Sequence, residues 1–192
     1  LRHIENVKSF GVPVVVAVNR FITDTDAEVA MIQRIAQVSG VKAVSCTHWS
    51  DGGTGTEALA EEVVRIVDSE VADFAPLYAD ELPIWDKIKT IATKLYRADD
   101  IIADQKIRDQ IQTLQDSGYG HFPVCIAKSQ YSFSTDPNLK GAPTDHIMAI
   151  REVRLSAGAG FIVVVCGDIM TMPGLPRMPA ANNIDIDADG EV

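Results

Sequence analysis

The segment Pro13-Val14-Val15-Val16-Ala17-Val18-Asn19-Arg20-Phe21-Ile22-Thr23-Asp24-Thr25-Asp26 decides the fold class. Val14 to Val18 is a nearly unbroken apolar, β-branched run, which predicts a strand buried on both faces of a parallel sheet. The chain then turns polar, and Thr25 with Glu28 forms a capping-box pattern ahead of Val29, Ile32, Ala36 and Val38. In open α/β sheets ligands collect at the carboxyl ends of such strands. Asn19, Arg20 and Phe21 occupy that end. A second apolar strand, Val41 to Cys46, delivers Thr47-His48-Trp49-Ser50-Asp51-Gly52-Gly53 to the same edge. Two neighbouring strands that each supply a polar group and an aromatic predict a site for a flat, polar molecule.

Working outward, a first helix ends near Phe10-Gly11, strand 13–18 leads into helix 25–39, and Gly40 is placed to cap it. After strand 41–46 comes a glycine-rich turn, 51–55, and a helix over 56–70 with Leu59, Val63, Ile66 and Val67 at helical spacing. Val71 to Leu82 reads as a connector. Pro83 opens a helix whose Ile84, Ile88, Ile91 and Leu95 form one apolar stripe. Asp104 caps another, carrying Ile107, Ile111 and Leu114 and stopped at Gly118. Pro123 to Ala127 is a short buried strand, Tyr131 to Thr144 a polar loop, Ile147 to Ser156 an alternating strand broken by Gly158 and Gly160, and Phe161 to Cys166 a second buried strand. Gly167 to Pro179 is rich in proline and glycine. The expectation is a parallel α/β unit over 1–75, a smaller α/β unit over 76–166, and a loop and tail over 167–192.

A chain of 192 residues with 17 basic and 27 acidic side chains, net charge −10, can bury a sizeable core and offers no broad nucleic-acid footprint. No apolar run approaches the roughly 20 residues that span a bilayer, and no secretory leader pattern precedes the first helix. A cytoplasmic protein with no membrane partner is expected. The three cysteines, Cys46, Cys125 and Cys166, are widely spaced and sit in apolar strands, which predicts reduced, buried thiols. Asp185, Asp187 and Asp189 lack the glycine and distal glutamate of a calcium loop, so no metal site is assigned. Leu1 falls inside a helix with no initiator methionine, and Asp189-Gly190 begins a turn with no returning strand. The chain is therefore expected to be a piece of a longer polypeptide.

An apolar strand ending in Asn, a basic residue and then an acid is a purine-gripping arrangement in P-loop NTPases. Here Asp24 lies five residues beyond Asn19 rather than three, and no Gly-x-x-x-x-Gly-Lys-Ser/Thr cradle occurs in the chain. Any phosphate-binding loop must lie outside it. A GTPase-like switch fragment is thus one alternative, disfavoured on these two counts.

Four blocks then point to a family: Val12 to Phe21, Thr47 to Gly53, Phe122 to Phe133, and Arg151 to Pro179, the last including Gly167-Asp168-Ile169-Met170-Thr171-Met172-Pro173-Gly174-Leu175-Pro176. Over essentially the whole chain the sequence closely resembles the C-terminal third of the formate–tetrahydrofolate ligases, also called 10-formyltetrahydrofolate synthetases. Ser50 and Thr54 depart from the pattern, standing where Ala or Glu and Lys are expected. The family's P-loop lies in the part not present.

The resemblance implies a P-loop NTPase-like α/β fold and a three-substrate reaction. ATP phosphorylates formate, and N10 of tetrahydrofolate attacks the resulting formyl phosphate, with Mg2+ and a monovalent cation assisting and no prosthetic group. It also implies a homotetramer. Phe21 and Trp49 match the family's aromatic pair for the pterin, although an aromatic after a buried strand also serves as core. Charge on a transferring formyl phosphate calls for fixed donors and cations. Arg20 and His48 are the candidates, the rival reading being a surface arginine and a positioning histidine. Asn19 and the stiff turn Met172-Pro173-Gly174-Leu175 are placed to wall a nucleotide or folate pocket, the turn alternatively only leading the chain off the sheet. Lys128 reads as a solvated strand end. The remaining alternative is a non-catalytic relict that binds folate or serves oligomer contacts, with the stripes at 83–95 and 104–115 as contact surfaces.

Overall fold

A computed structural model describes residues 1–69, 71–169, 177–179 and 182. Helix α1 (Arg2–Lys8) precedes β1 (Val15–Asn19), α2 (Asp26–Val38) and β2 (Lys42–Cys46). The strands β1 and β2 pair in parallel, Val15 against Lys42 through Asn19 against Cys46. Helix α2 begins where Thr25 accepts from the Glu28 amide while the Glu28 carboxylate answers the Thr25 amide, the reciprocal cap its sequence specifies. It ends at Gly40, whose φ of +65° suits glycine.

The glycine-rich stretch after β2 is not an open turn. It winds into the short helix α3 (His48–Asp51) and a 3-10 turn (Gly52–Thr56) before α4 (Glu57–Ser69). Hydroxyl bonds back to the chain, Thr54 to the Asp51 carbonyl and Thr56 to that of Gly53, hold the tight winding together.

The second sheet has the order β3-β5-β6-β4: β3 (Asp100–Ile102), β4 (Val124–Ala127), β5 (Ile147–Ser156) and β6 (Phe161–Cys166). Pairs β3–β5 and β4–β6 are parallel, and β5–β6 is antiparallel. Strand β3 has no sequence signal, because three residues are too few to show a period. Helices α5 (Ile84–Lys94) and α6 (Gln105–Leu114) cover this sheet, and Asp104 caps α6 through the Ile107 amide. Ile84, Ile88, Met148, Ile162 and Val164 are wholly buried here, each such side chain contributing about 1.5–3 kcal/mol. In β5 the inward positions run Met148, Ile150, then Val153. A bulge between Ile150 and Glu152 adds one residue and restores the inward set.

Three expectations need correction, while the stretch 71–82 is a connector as read. Strand β1 is not buried on both faces: Val18 is its one buried residue and Ala17 is exposed, because β1 is an edge of a two-stranded sheet. The apolar residues of α4 do not form a core face either. Val63 and Val67 are 42% and 72% exposed, since Pro13, Val15 and Ala72 beside them leave an open hollow rather than a packed core. Cys125 is exposed because β4 is an edge strand, whereas Cys46 and Cys166 are buried. The connector 71–82 is tied down: Asp73 and Ala75 donate to the carbonyls of Gly11 and Phe10, and the Phe10 and Phe74 rings stack at 6.4 Å. Gly11 is obligatory at that crossing, because a Cβ would lie 1.8 Å from the Asp73 carbonyl oxygen.

The residue α4 does bury is Glu62, 3% exposed, whose carboxylate accepts from Lys42 Nζ at 2.7 Å and from Arg65 at 2.8 and 3.1 Å. The Arg65 guanidinium first, then Lys42, hold the carboxyl down to about 2 from its ordinary 4.5. A folded-state pKa below the unfolded one stabilises the fold above about pH 4.5, and that contribution is lost as pH falls toward 2. Glu62→Gln should therefore flatten the acid limb. Denaturant midpoints taken between pH 5 and pH 2 should fall more steeply for the unaltered chain than for the variant, and parallel profiles would contradict this assignment.

Candidate functional site

Because β1 and β2 are parallel and in register, Asn19 and Cys46 end at one level, and the Arg20 amide extends the ladder by donating to the Cys46 carbonyl at 2.9 Å. The next turn is locked by Asp24. Its carboxylate accepts from the Phe21 amide at 2.8 Å, while its own amide donates to the Phe21 carbonyl at 3.0 Å. Asp24, misplaced for reading a base, thus sets the direction in which Phe21 leaves the strand. On β2 the Thr47 hydroxyl donates to Asp51 at 2.6 Å, and the Thr47 amide donates to the Gly55 carbonyl at 3.0 Å. That hydroxyl, followed by Ser50, keeps the Asp51 carboxyl below its ordinary range. Gly55 is required: a Cβ there would stand 2.5 Å from the Thr47 carbonyl carbon and 2.6 Å from the His48 nitrogen. This close crossing holds His48 and Trp49 on a single short turn.

The two rings meet at the sheet edge. Phe21 and Trp49 are 49% and 67% exposed, with centroids 6.1 Å apart and planes tilted by 58°. Exposed aromatics of this size, paired rather than scattered, have the character of a binding surface rather than a core. A flat ring held between two faces needs them parallel and about 7 Å apart, twice a stacking distance. One ring must therefore turn before a slab can enter, a side-chain rotation that exposed residues make within nanoseconds.

Around the rings, Arg20 is bound to Asp26 in the first turn of α2 at 2.6 Å, so it must exchange that partner to meet an anion. Asn19 and His48 are exposed, and their side chains make no hydrogen bond among the described residues. Met172, Pro173, Gly174 and Leu175 lie outside the described residues. Lys128 is not a solvated strand end but half-buried among rings. Among the described residues no three His, Cys, Asp or Glu side chains gather to hold a metal ion, and no helix is long and apolar enough to cross a membrane. Sequence reading missed the turn-setting roles of Asp24, Thr47 and Gly55. An Asp three residues after Phe21 was the available signal for the first, and for Gly55 there was none, because its requirement comes from a non-adjacent crossing.

The sequence matches the family described as formate–tetrahydrofolate ligase across residues 1–192. Proteins named formate–tetrahydrofolate ligase from Roseobacter denitrificans and Pelagibacter ubique are 58% and 57% identical over 191 residues. Each alignment covers 100% of this chain and 34% of the relative. One from a Ruegeria species is 60% identical over 189 residues, 98% of this chain and 34% of its own length. The chain spans about a third of the length of the curated relatives it matches.

Proposed function

The chain belongs to the formate–tetrahydrofolate ligase family; on that footing we propose that it forms the pterin-holding side of an ATP-dependent ligase that formylates tetrahydrofolate at N10. The observation that carries the reading is the exposed Phe21–Trp49 pair, 6.1 Å apart where two parallel strands end. A pterin is apolar on its faces and polar at its rim. Two rings suit the faces, and Asn19 and His48 are near enough in sequence to serve the rim.

In the proposed reaction a formate oxygen attacks the γ-phosphorus of ATP, releasing ADP and forming formyl phosphate. N10 then attacks the formyl carbon, phosphate leaves, and N10 gives up its proton. Arg20, freed from Asp26, and His48 are the candidates to meet the phosphate charge. The chain has no phosphate cradle, so the triphosphate belongs to the part of the protein outside it. Among the described residues no three His, Cys, Asp or Glu side chains gather as a ligand set for Mg2+.

A P-loop NTPase-like sheet continuing past β1 is supported by the exposed β1 edge and the uncovered Val63 and Val67 of α4. Parallel sheets are stable when both faces are covered, and two strands alone rarely suffice. We place the unit boundary near residue 75, a second α/β unit over 76–166 and the tail beyond, in a cytoplasmic homotetramer.

The test is turnover. With ATP, Mg2+, formate and tetrahydrofolate, the isolated chain should yield no 10-formyltetrahydrofolate above background, because phosphoryl transfer depends on the absent cradle. Joining it to the remaining two thirds of a close relative should restore the product. Robust formylation by the chain alone overturns the reading, as does a joined protein that folds and stays inactive.

A further inference from the structure

At the carboxyl end of β4, a cavity of about 420 Å³ is walled by the rings of His3, Tyr96, Tyr131 and Phe133 and by Lys128. It shares no lining residue with the Phe21–Trp49 pair. The rings are mutually packed, His3 on Phe133 at 4.9 Å and Tyr96 on Phe133 at 6.0 Å. Lys128 places its ammonium 5.0 Å from the Tyr96 centroid and 5.9 Å from that of Phe133. The ammonium donates to the carbonyls of Ser129 and Ser132, which leaves one of its three N–H bonds for another acceptor. Among the described residues no carboxylate pairs with it; burial lowers its pKa, and the titratable group nearest in influence is the Cys166 thiol. Burial pushes that thiol up to about 12, so it is neutral at physiological pH and does not compensate the cation.

The wall that carries Tyr131 and Phe133 is pre-organised. Ser132 and Ser134 are buried and bonded to each other and to the Leu139 carbonyl, and the Phe133 amide donates to the Gly141 carbonyl at 2.8 Å. A preformed, largely apolar hollow of this size with one convergent charge has the character of a small-molecule site. One spare donor and one cation, in a chain of net charge −10, match a monoanion better than a dianion such as phosphate.

We propose that this cavity is a second binding site, for a carboxylate carried on a planar ring, with the carboxylate on the Lys128 ammonium and the ring against the aromatic walls.

The probe is benzoate, with benzamide as the ring without the charge and acetate as the charge without the ring. Titrated into the chain and followed by the amide resonances of 129–133, benzoate should give saturable shifts. Benzamide and acetate should bind at least about tenfold more weakly. Lys128→Gln should weaken benzoate by at least about tenfold and leave benzamide unchanged. Tyr131→Ala removes a ring that is 65% exposed and carries no core contact, and should weaken both ring-bearing probes. Equal binding of benzoate and benzamide would reduce the site to an apolar crevice and overturn the proposal. So would non-saturating shifts, or undiminished benzoate binding by Lys128→Gln. If Lys128→Gln does not fold, the three-probe comparison on the unaltered chain and the Tyr131→Ala result decide. Neither outcome bears on the pterin site, which lies on other residues.

Discussion

Trp49→Ala in the full-length ligase should raise the apparent Michaelis constant for tetrahydrofolate by about ten- to a hundredfold, leaving those for ATP and formate within about twofold. The indole is 67% exposed, so its removal costs the fold little and the effect reports binding. On the proposed stacking, its loss would expose one face of the pterin to water and forfeit one stacking contact, together about 1–3 kcal/mol. Phe21 remains, which is why the loss is partial. An equal rise for all three substrates would identify Trp49 as a structural residue whose absence lets the 47–56 turn collapse. Because the rings stand tilted by 58°, tetrahydrofolate should also quench Trp49 emission as the indole turns against the pterin. This is measured on the chain of 192 residues, whose two tryptophans are Trp49 and Trp85, in a Trp85→Phe background that isolates the signal.

Lys87→Met should destabilise the chain by about 3–5 kcal/mol, read as a shift in the denaturant midpoint at constant slope. Lys87 is wholly buried, and its ammonium donates to the carbonyls of Asp80 at 2.6 Å, Gly120 at 2.7 Å and Phe122 at 3.1 Å, 5.6 Å from the Tyr78 ring centroid. Two separate backbone segments, one at Asp80 and one at Gly120–Phe122, thus converge on one cation. Methionine fills a similar volume but returns none of the bonds, and each stranded carbonyl costs about 1–3 kcal/mol. Partial relaxation toward water keeps the total below the sum. Burial also lowers the Lys87 pKa, opposed by the charges of Asp80 and Glu81. A loss under about 1 kcal/mol would mean that solvent reaches the carbonyls once the ammonium is gone.

Much of the architecture is local and was legible from residues alone. The Thr25–Glu28 box, Gly40, Pro83 and Asp104 mark helix ends because each satisfies or spares backbone groups within a few residues. The apolar runs at Val15–Asn19, Lys42–Cys46 and Phe161–Cys166 became strands, and the first two paired in parallel as their intervening helix requires. Even Lys87 had a local signal, since it lies three residues after Ile84 and one before Ile88 on the apolar face of α5. Of the site, the sequence by itself determined that Asn19, Arg20, Phe21, His48 and Trp49 lie at or just past strand ends, because that depends only on where the apolar runs stop.

Tertiary structure decided the rest, because contacts between distant residues carry no period. It brought Phe21 to 6.1 Å from Trp49, spent Arg20 on Asp26, and required Gly55 through a crossing with Thr47. It also left the apolar side of α4 and the edge of β1 uncovered, although their patterns read as core. A hydrophobic pattern states that a face needs a partner; only the packed chain shows whether the partner is present.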